Sequence, residues 1–187
     1  MMGRLKIAQP LRERERRIRR KLNGQRGVAA RLRWTLAAAS MIVNELKLPE
    51  SFATAVKSTR LKRTKGSWQL RKECDSYGNP LETELGEVYR TPKRIKNETA
   101  GLTVQFEPND YYGKSLADFA GPGAIPDIVD FAEILCFGIA GGGEPFCFDY
   151  RETTKTPSVI WWDDVYWRRV SPDFDAFLKL FDTTKGS

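Results

Sequence analysis

Four carboxylates in the C-terminal half, Glu144, Asp149, Asp163 and Asp164, fall at the ends of two neighbouring strand-like runs. Gathered at one sheet end, such a group can bind a divalent cation, work as an acid and base pair, or present an acidic patch to a partner. Acidic side chains at strand ends are usually solvated, so the partner-facing patch ranks ahead of catalysis and metal binding. The chain contains no histidine. That excludes Ser-His-Asp and Cys-His nucleophile systems, His-ligated zinc and an imidazole pH switch. Cys74, Cys136 and Cys147 form no Cys-x-x-Cys pair, and an odd number of cysteines fits a reducing compartment better than a disulfide framework. Cys136 and Cys147 read as small buried hydrophobes. No catalytic residue, cofactor or metal is assigned, and the expectation is a non-enzymatic protein.

Trp161, Trp162, Tyr166 and Trp167 form the densest aromatic group in the chain. Strand alternation sends Trp161 and Trp162 to opposite faces, so one belongs to the core. The other, with Tyr166 or Trp167, could be an exposed binding anchor, against the alternative of simple packing beneath the last helix. Gly141, Gly142 and Gly143 could cradle a phosphate, but a phosphate loop continues into a helix with Lys-Ser/Thr, whereas Glu144-Pro145-Phe146 follows here. A hairpin turn is the better reading. Asp149 and Arg151 share one strand face and could pair across to Asp163 or Arg168.

The elements that would position these residues occupy the later part of a 187-residue chain of net charge +7. The charge is uneven: residues 1–34 hold 12 Lys+Arg against 2 Asp+Glu, and residues 100–187 hold 7 against 14. The basic segment lacks an apolar stripe and has no interleaved aromatics. Residues 1–40 therefore read as a basic extension, disordered or produced by a start placed too far upstream, and residues 41–187 as the domain. The same segment leaves open a nucleic-acid-associated role, with salt-dependent binding through residues 1–34. The longest apolar stretch, 34–43, is too short to span a bilayer and runs into a polar helical pattern instead of a cleavage site, so no membrane partner and a cytoplasmic location are expected.

Leu32, Leu36, Ala39, Val43 and Leu46 recur at helical spacing after Gly27, and a second short helix is expected over 49–57, burying Phe52 and Val56. The run 66–71 alternates like a strand, Tyr77-Gly78-Asn79-Pro80 is turn chemistry, and 87–90 reads as another strand. A helix over 92–102 precedes a turn-rich loop. Three strands over 134–139, 145–150 and 158–162 form an antiparallel meander. Ser171 can cap a last helix with Pro172 at its first position and Phe174, Phe177, Leu178 and Phe181 on one face. The whole describes an α+β domain with a mostly antiparallel sheet of about six strands flanked by helices.

Four blocks within this order resemble the SUKH superfamily of Smi/Knr type: the glycine turn with Glu144; Phe146-Cys147-Phe148-Asp149; the strand ending Trp161-Trp162-Asp163-Asp164; and the closing helix with Phe174, Phe177 and Leu178. Upstream, Leu48-Pro49-Glu50-Ser51-Phe52 is similar to the family's first helix, so the likeness covers about 45–181. The family's Trp-Asp-His-Glu ending stands here as Trp162-Asp163-Asp164-Val165, and no role of that His-Glu pair carries over. The long segment 68–113 matches little of a short family core. The resemblance implies a six-stranded α+β binding domain without known catalysis, used in bacteria as an immunity protein against secreted toxins and in fungi as a regulator of cell wall synthesis. The expected partner is a protein, such as a cognate toxin of nuclease type or the target of a regulatory adaptor. The expected contact patch is Glu144, Asp149, Trp162, Asp163, Asp164 and Tyr166, gathered at one rim, with Trp162 as its desolvated anchor.

Overall fold

The computed structural model describes residues 41–58, 61, 67–106, 121–126, 128–163 and 166–182. The described chain opens with a hairpin, β1 (Ile42–Val43) and β2 (Leu46–Lys47), whose central residues Asn44 and Glu45 both have positive φ, 48° and 67°. Left-handed backbone at both positions is what a two-residue turn between twisted strands requires. The helical period expected through Val43 and Leu46 is thus overturned at this end. Those two residues face each other across the turn, and a spacing of three suits cross-strand partners as well as helical neighbours. The earlier positions of that pattern lie outside the described residues.

Helix α1 (Glu50–Lys57) follows as expected, with Pro49 at its N-cap, Glu50 in its first turn and Lys57 in its last, both favourable to the helix dipole. It buries Phe52 and Val56. The main sheet is antiparallel throughout, with strands in sequence order: β3 (Leu85–Val88), β4 (Ile134–Ala140), β5 (Pro145–Asp149), β6 (Ser158–Asp163) and β7 (Tyr166–Ser171). Strand β3 begins two residues earlier than the run at 87–90 suggested. The alternating run near 68 makes only single bridges, Trp68 to Leu85 and Leu70 to Phe181. β7 completes the meander as a strand that the aromatic crowding at 166–167 had concealed.

Helix α2 (Pro92–Phe106) is one turn longer than its expected end at 102, and α3 (Phe174–Leu180) closes the domain. The cap of α3 is Asp173, whose carboxylate accepts from the Ala176 N–H at 2.7 Å. Ser171, the expected cap, instead ends β7 and donates its hydroxyl to the Asp173 carbonyl. An Asp two residues on is an equally good acceptor, and Ser171 is held by the ladder to Val159.

Helices cover both faces of the sheet. On one, Phe52 of α1 and Phe174 and Phe177 of α3 meet Phe137, Phe146 and Phe148 at ring-centroid distances of 5.1–5.8 Å. On the other, Phe106 of α2 packs on Trp162 and Trp167 at 5.0 and 5.5 Å, with Phe131 closing the group. The N–H of Cys136, beside a bulge in β4, donates to the buried Thr99 hydroxyl and pins α2 to the sheet. Each fully buried Phe contributes about 1.5–3 kcal/mol of transfer free energy, so the two aromatic layers dominate the core. No helix among the described residues is long and apolar enough to cross a membrane.

Candidate functional site

One end of the sheet forms an open cleft of about 610 Å³. Its floor and one wall are Trp161 and Asp163 at the end of β6. Gly142 and Glu144 of the β4–β5 turn make the second wall, and Gln69, Glu82, Thr83 and Glu84 of the segment entering β3 make the third. Four of these residues are acidic and none is basic.

Backbone geometry explains how carboxylates crowd there. The turn closes through Gly143 N–H to the Ala140 carbonyl and Ala140 N–H to the Glu144 carbonyl, and Gly143 has a φ of 105°, which a glycine alone adopts without strain. A Cβ on Gly142 would meet the Glu144 carboxylate at 2.3 Å, so the bare backbone is the surface on which Glu144 lies. The Glu84 carbonyl accepts from Gly141 N–H, and its side chain accepts from Gln69 Nε2, tying the β3 segment to the turn.

Asp163 is held from below. Arg168, its side chain 3% exposed, donates from Nε to Asp163 at 3.1 Å, from Nη1 to Asp75 at 2.6 Å and from Nη2 to the Pro80 carbonyl at 2.7 Å. Its guanidinium also lies 5.3 Å from the Trp161 ring centroid. Asp75 in turn accepts from the Tyr77 and Asn79 N–H groups, and this builds the expected turn around Gly78. The Asp75–Arg168 pair is structural, since both charges are enclosed and satisfied by each other.

The six residues of the expected patch are therefore dispersed. Glu144 and Asp163 share the cleft, and Tyr166, half-buried, is the register partner of Asp163. Asp149 sits at the opposite end of β5, buried, where Arg151 grips it through its backbone N–H, Nε and Nη2 at 2.7–3.1 Å. The pairing of Asp149 or Arg151 across to Asp163 or Arg168 does not form. Trp162 is not an exposed anchor: it is 7% exposed and packs on Phe106 and Trp167, because α2 covers the face to which alternation sends it. Trp161 is buried as well, on the other face. Asp164 lies outside the described residues. Gln69, Glu82 and Glu84 were missed; the signal available was only that acidic residues flank the start of β3.

Burial shifts the titration of several interior groups. Burial pushes the Cys147 thiol well above its ordinary range, and the Cys136 thiol across the ladder and the Asp149 carboxylate add to the rise. A thiol held in its neutral form is a poor nucleophile. Burial also raises Tyr150, whose hydroxyl donates to the Lys47 carbonyl at 2.9 Å, and Tyr89. No group of three or more His, Cys, Asp or Glu among the described residues is arranged to hold a metal ion.

An antiparallel meander covered by helices on both faces, with an open acidic sheet end, defines an α+β domain. The model of the SMI1 / KNR4 family (SUKH-1) matches residues 45–180, and the chain belongs to that family. Searches of curated proteins and of solved structures gave no match.

Proposed function

We propose that the chain is a non-enzymatic, cytoplasmic protein-binding domain acting as an immunity protein, which occupies a cognate toxin through the acidic cleft at the end of its sheet. Family membership over 45–180 supports the protein-binding role, and the observation that carries the location is the cleft itself, with Glu82, Glu84, Glu144 and Asp163 on its walls and no basic residue among them. Where the toxin is a nuclease, its basic nucleic-acid groove is complementary to this end, which speeds encounter and blocks substrate at once. Where a toxin gene lies beside this one, co-expression of the two proteins tests the reading. A stoichiometric complex and restored growth are expected; a toxin that is neither bound nor neutralised overturns immunity and leaves a regulatory adaptor.

A second reading rests on the charge of residues 1–34, 12 Lys+Arg against 2 Asp+Glu. It requires nucleic-acid affinity whose logarithm falls linearly with the logarithm of salt concentration. An affinity for duplex or single-stranded oligonucleotides that is absent at low salt removes it.

A further inference from the structure

We propose that the outer face of α2, with the 129–132 segment beside it, is a self-association surface, on which two copies of the chain pair across a two-fold axis with their α2 helices antiparallel. No residue of the acidic cleft takes part, so this surface stands or falls independently of the toxin reading.

The exposed apolar side chains point to the place. Among the described residues the exposed large hydrophobics are Ile42, Val104 and Val129, at 56%, 74% and 74%. Scattered singly, such residues need no explanation. These three border one cavity of about 290 Å³, whose lining includes Asn44, Ala100, Thr103 and Asp130. Val104 follows Thr103, Val129 precedes Asp130, and Ile42 lies two residues before Asn44 on a strand packed against α2. Along α2, Lys93, Lys96, Ala100 and Thr103 recur at spacings of three, four and three, the seam along which one helix meets another. Val104 extends the same face one turn beyond Ala100. The opposite side of α2 is already used, since Ile95, Leu102 and Phe106 are buried in the core.

Charge selects the occupant. Lys93 and Lys96 are exposed and form no ion pair among the described residues, whereas Arg94 beside them is held by Glu98 at 2.9 Å. The first turn of α2 holds no acid and its last turn no base, so the helix does not offset its own dipole at either end. Beside its C-terminal half the cavity wall places Asp130, exposed, with its carboxylate accepting from the Ala132 N–H at 2.9 Å. A face that is basic at one end and acidic at the other is complementary to its own copy after a half-turn. Antiparallel pairing carries Lys96 of each copy toward Asp130 and the negative helix end of the other. The axis then passes near Ala100, whose small side chain permits close approach, and the lysine stems cover the exposed Val104. A partner of uniform charge would match only half of this face.

The test is analytical ultracentrifugation of the full chain over a concentration series. The parent is expected to reach twice the mass of the chain with a dissociation constant below about 100 µM, and to dissociate further as salt rises. Ala100→Glu, at an exposed helical position, is expected to weaken pairing at least tenfold with the far-UV circular dichroism spectrum unchanged. Lys96→Glu and Asp130→Lys are each expected to weaken it, and the chain carrying both, its charges exchanged, to recover most of the loss. Because Asp130→Lys also removes the acceptor of the Ala132 N–H, Asp130→Asn, which keeps that acceptor, is measured beside it and is expected to weaken pairing to a lesser degree. A parent that stays monomeric throughout the series overturns the proposal, whatever else covers the face. A dimer indifferent to Ala100→Glu and Lys96→Glu overturns it as well, because the copies then meet elsewhere. A doubly exchanged chain that pairs no better than the single variants overturns the antiparallel arrangement.

Discussion

The two ends of β5 carry acidic residues five positions apart, Glu144 and Asp149, that look alike in the sequence and do opposite things in the fold. At the far end Asp149 is enclosed: its side chain is 2% exposed, and Arg151, two residues on and on the same face, saturates it. At the near end Glu144 stands on an open cleft beside Glu82 and Asp163, without a basic residue on the walls. A carboxylate whose counter-charge is built into its own fold serves stability, and one left facing a cavity of like charges is available to an outside cation. Asp75 with Arg168 belongs to the first kind; Asp163 touches both, holding Arg168 while its side chain remains 35% exposed.

The sharpest way to break this contrast is at the most enclosed pair. Asp75→Ala leaves the Arg168 guanidinium buried with half its charge partners gone and is expected to lower unfolding free energy by about 3–5 kcal/mol in urea titrations. Trp162→Ala, an interface variant had Trp162 been exposed, is expected to lower stability by about 3–5 kcal/mol because it empties the layer between Phe106 and Trp167. Stability within error of the parent for either variant would show that the enclosed groups are not structural. Asp149→Ala removes the acceptor of a 19%-exposed arginine that water still reaches, so the expected loss is smaller, about 1–3 kcal/mol by the same titration.

The enclosed end also has a pH signature. Cys147 ionises with an ordinary pKa of 9.0 when unfolded and well above that when folded, and the buried tyrosines join from 10.0. Between the two values the unfolded chain releases a proton that the folded chain retains. The contribution of these groups to stability is therefore fully present below about pH 9 and is lost as pH rises beyond it. Cys147→Ala is expected to flatten the first part of that fall, measured as the urea midpoint against pH. A midpoint that rises with pH in this range contradicts the assignment.

Sequence reasoning reached the parts of the molecule where pattern and partner are local. The strands at 134–140, 145–149 and 158–163 are short, nearly continuous apolar runs separated by glycine or polar turns, and α3 shows its apolar stripe directly. Arg151 grips Asp149 from two residues away. The family was legible from four blocks in order, and the match over 45–180 bears that out. What could not be read was spatial. Asp75 meets Arg168 only because its loop docks on β7, with Ser76 N–H donating to the Val170 carbonyl, and Gln69 meets Glu144 only because the segment entering β3 closes onto the β4–β5 turn. The patch drawn along one rim failed at Trp162 because alternation gives opposite faces without saying that α2 covers one of them. It failed at Asp149 because Asp149 and Glu144 lie at opposite ends of β5 and not on one rim. The hairpin at 42–47 escaped because spacing of three is ambiguous between a helix and a two-residue turn.

The most direct test sets function against stability at the open end alone. The double variant Glu82→Gln, Glu144→Gln is compared with the parent chain in two measurements on the same preparations, unfolding free energy and affinity for the toxin captured from source cells. Surface carboxylates away from ion pairs change stability by no more than about 0.5 kcal/mol. The predicted result is unchanged stability with affinity reduced at least tenfold, about 1.4 kcal/mol, and a shallower salt dependence of association. Unchanged affinity at unchanged stability would contradict the account and place the interface elsewhere on the domain.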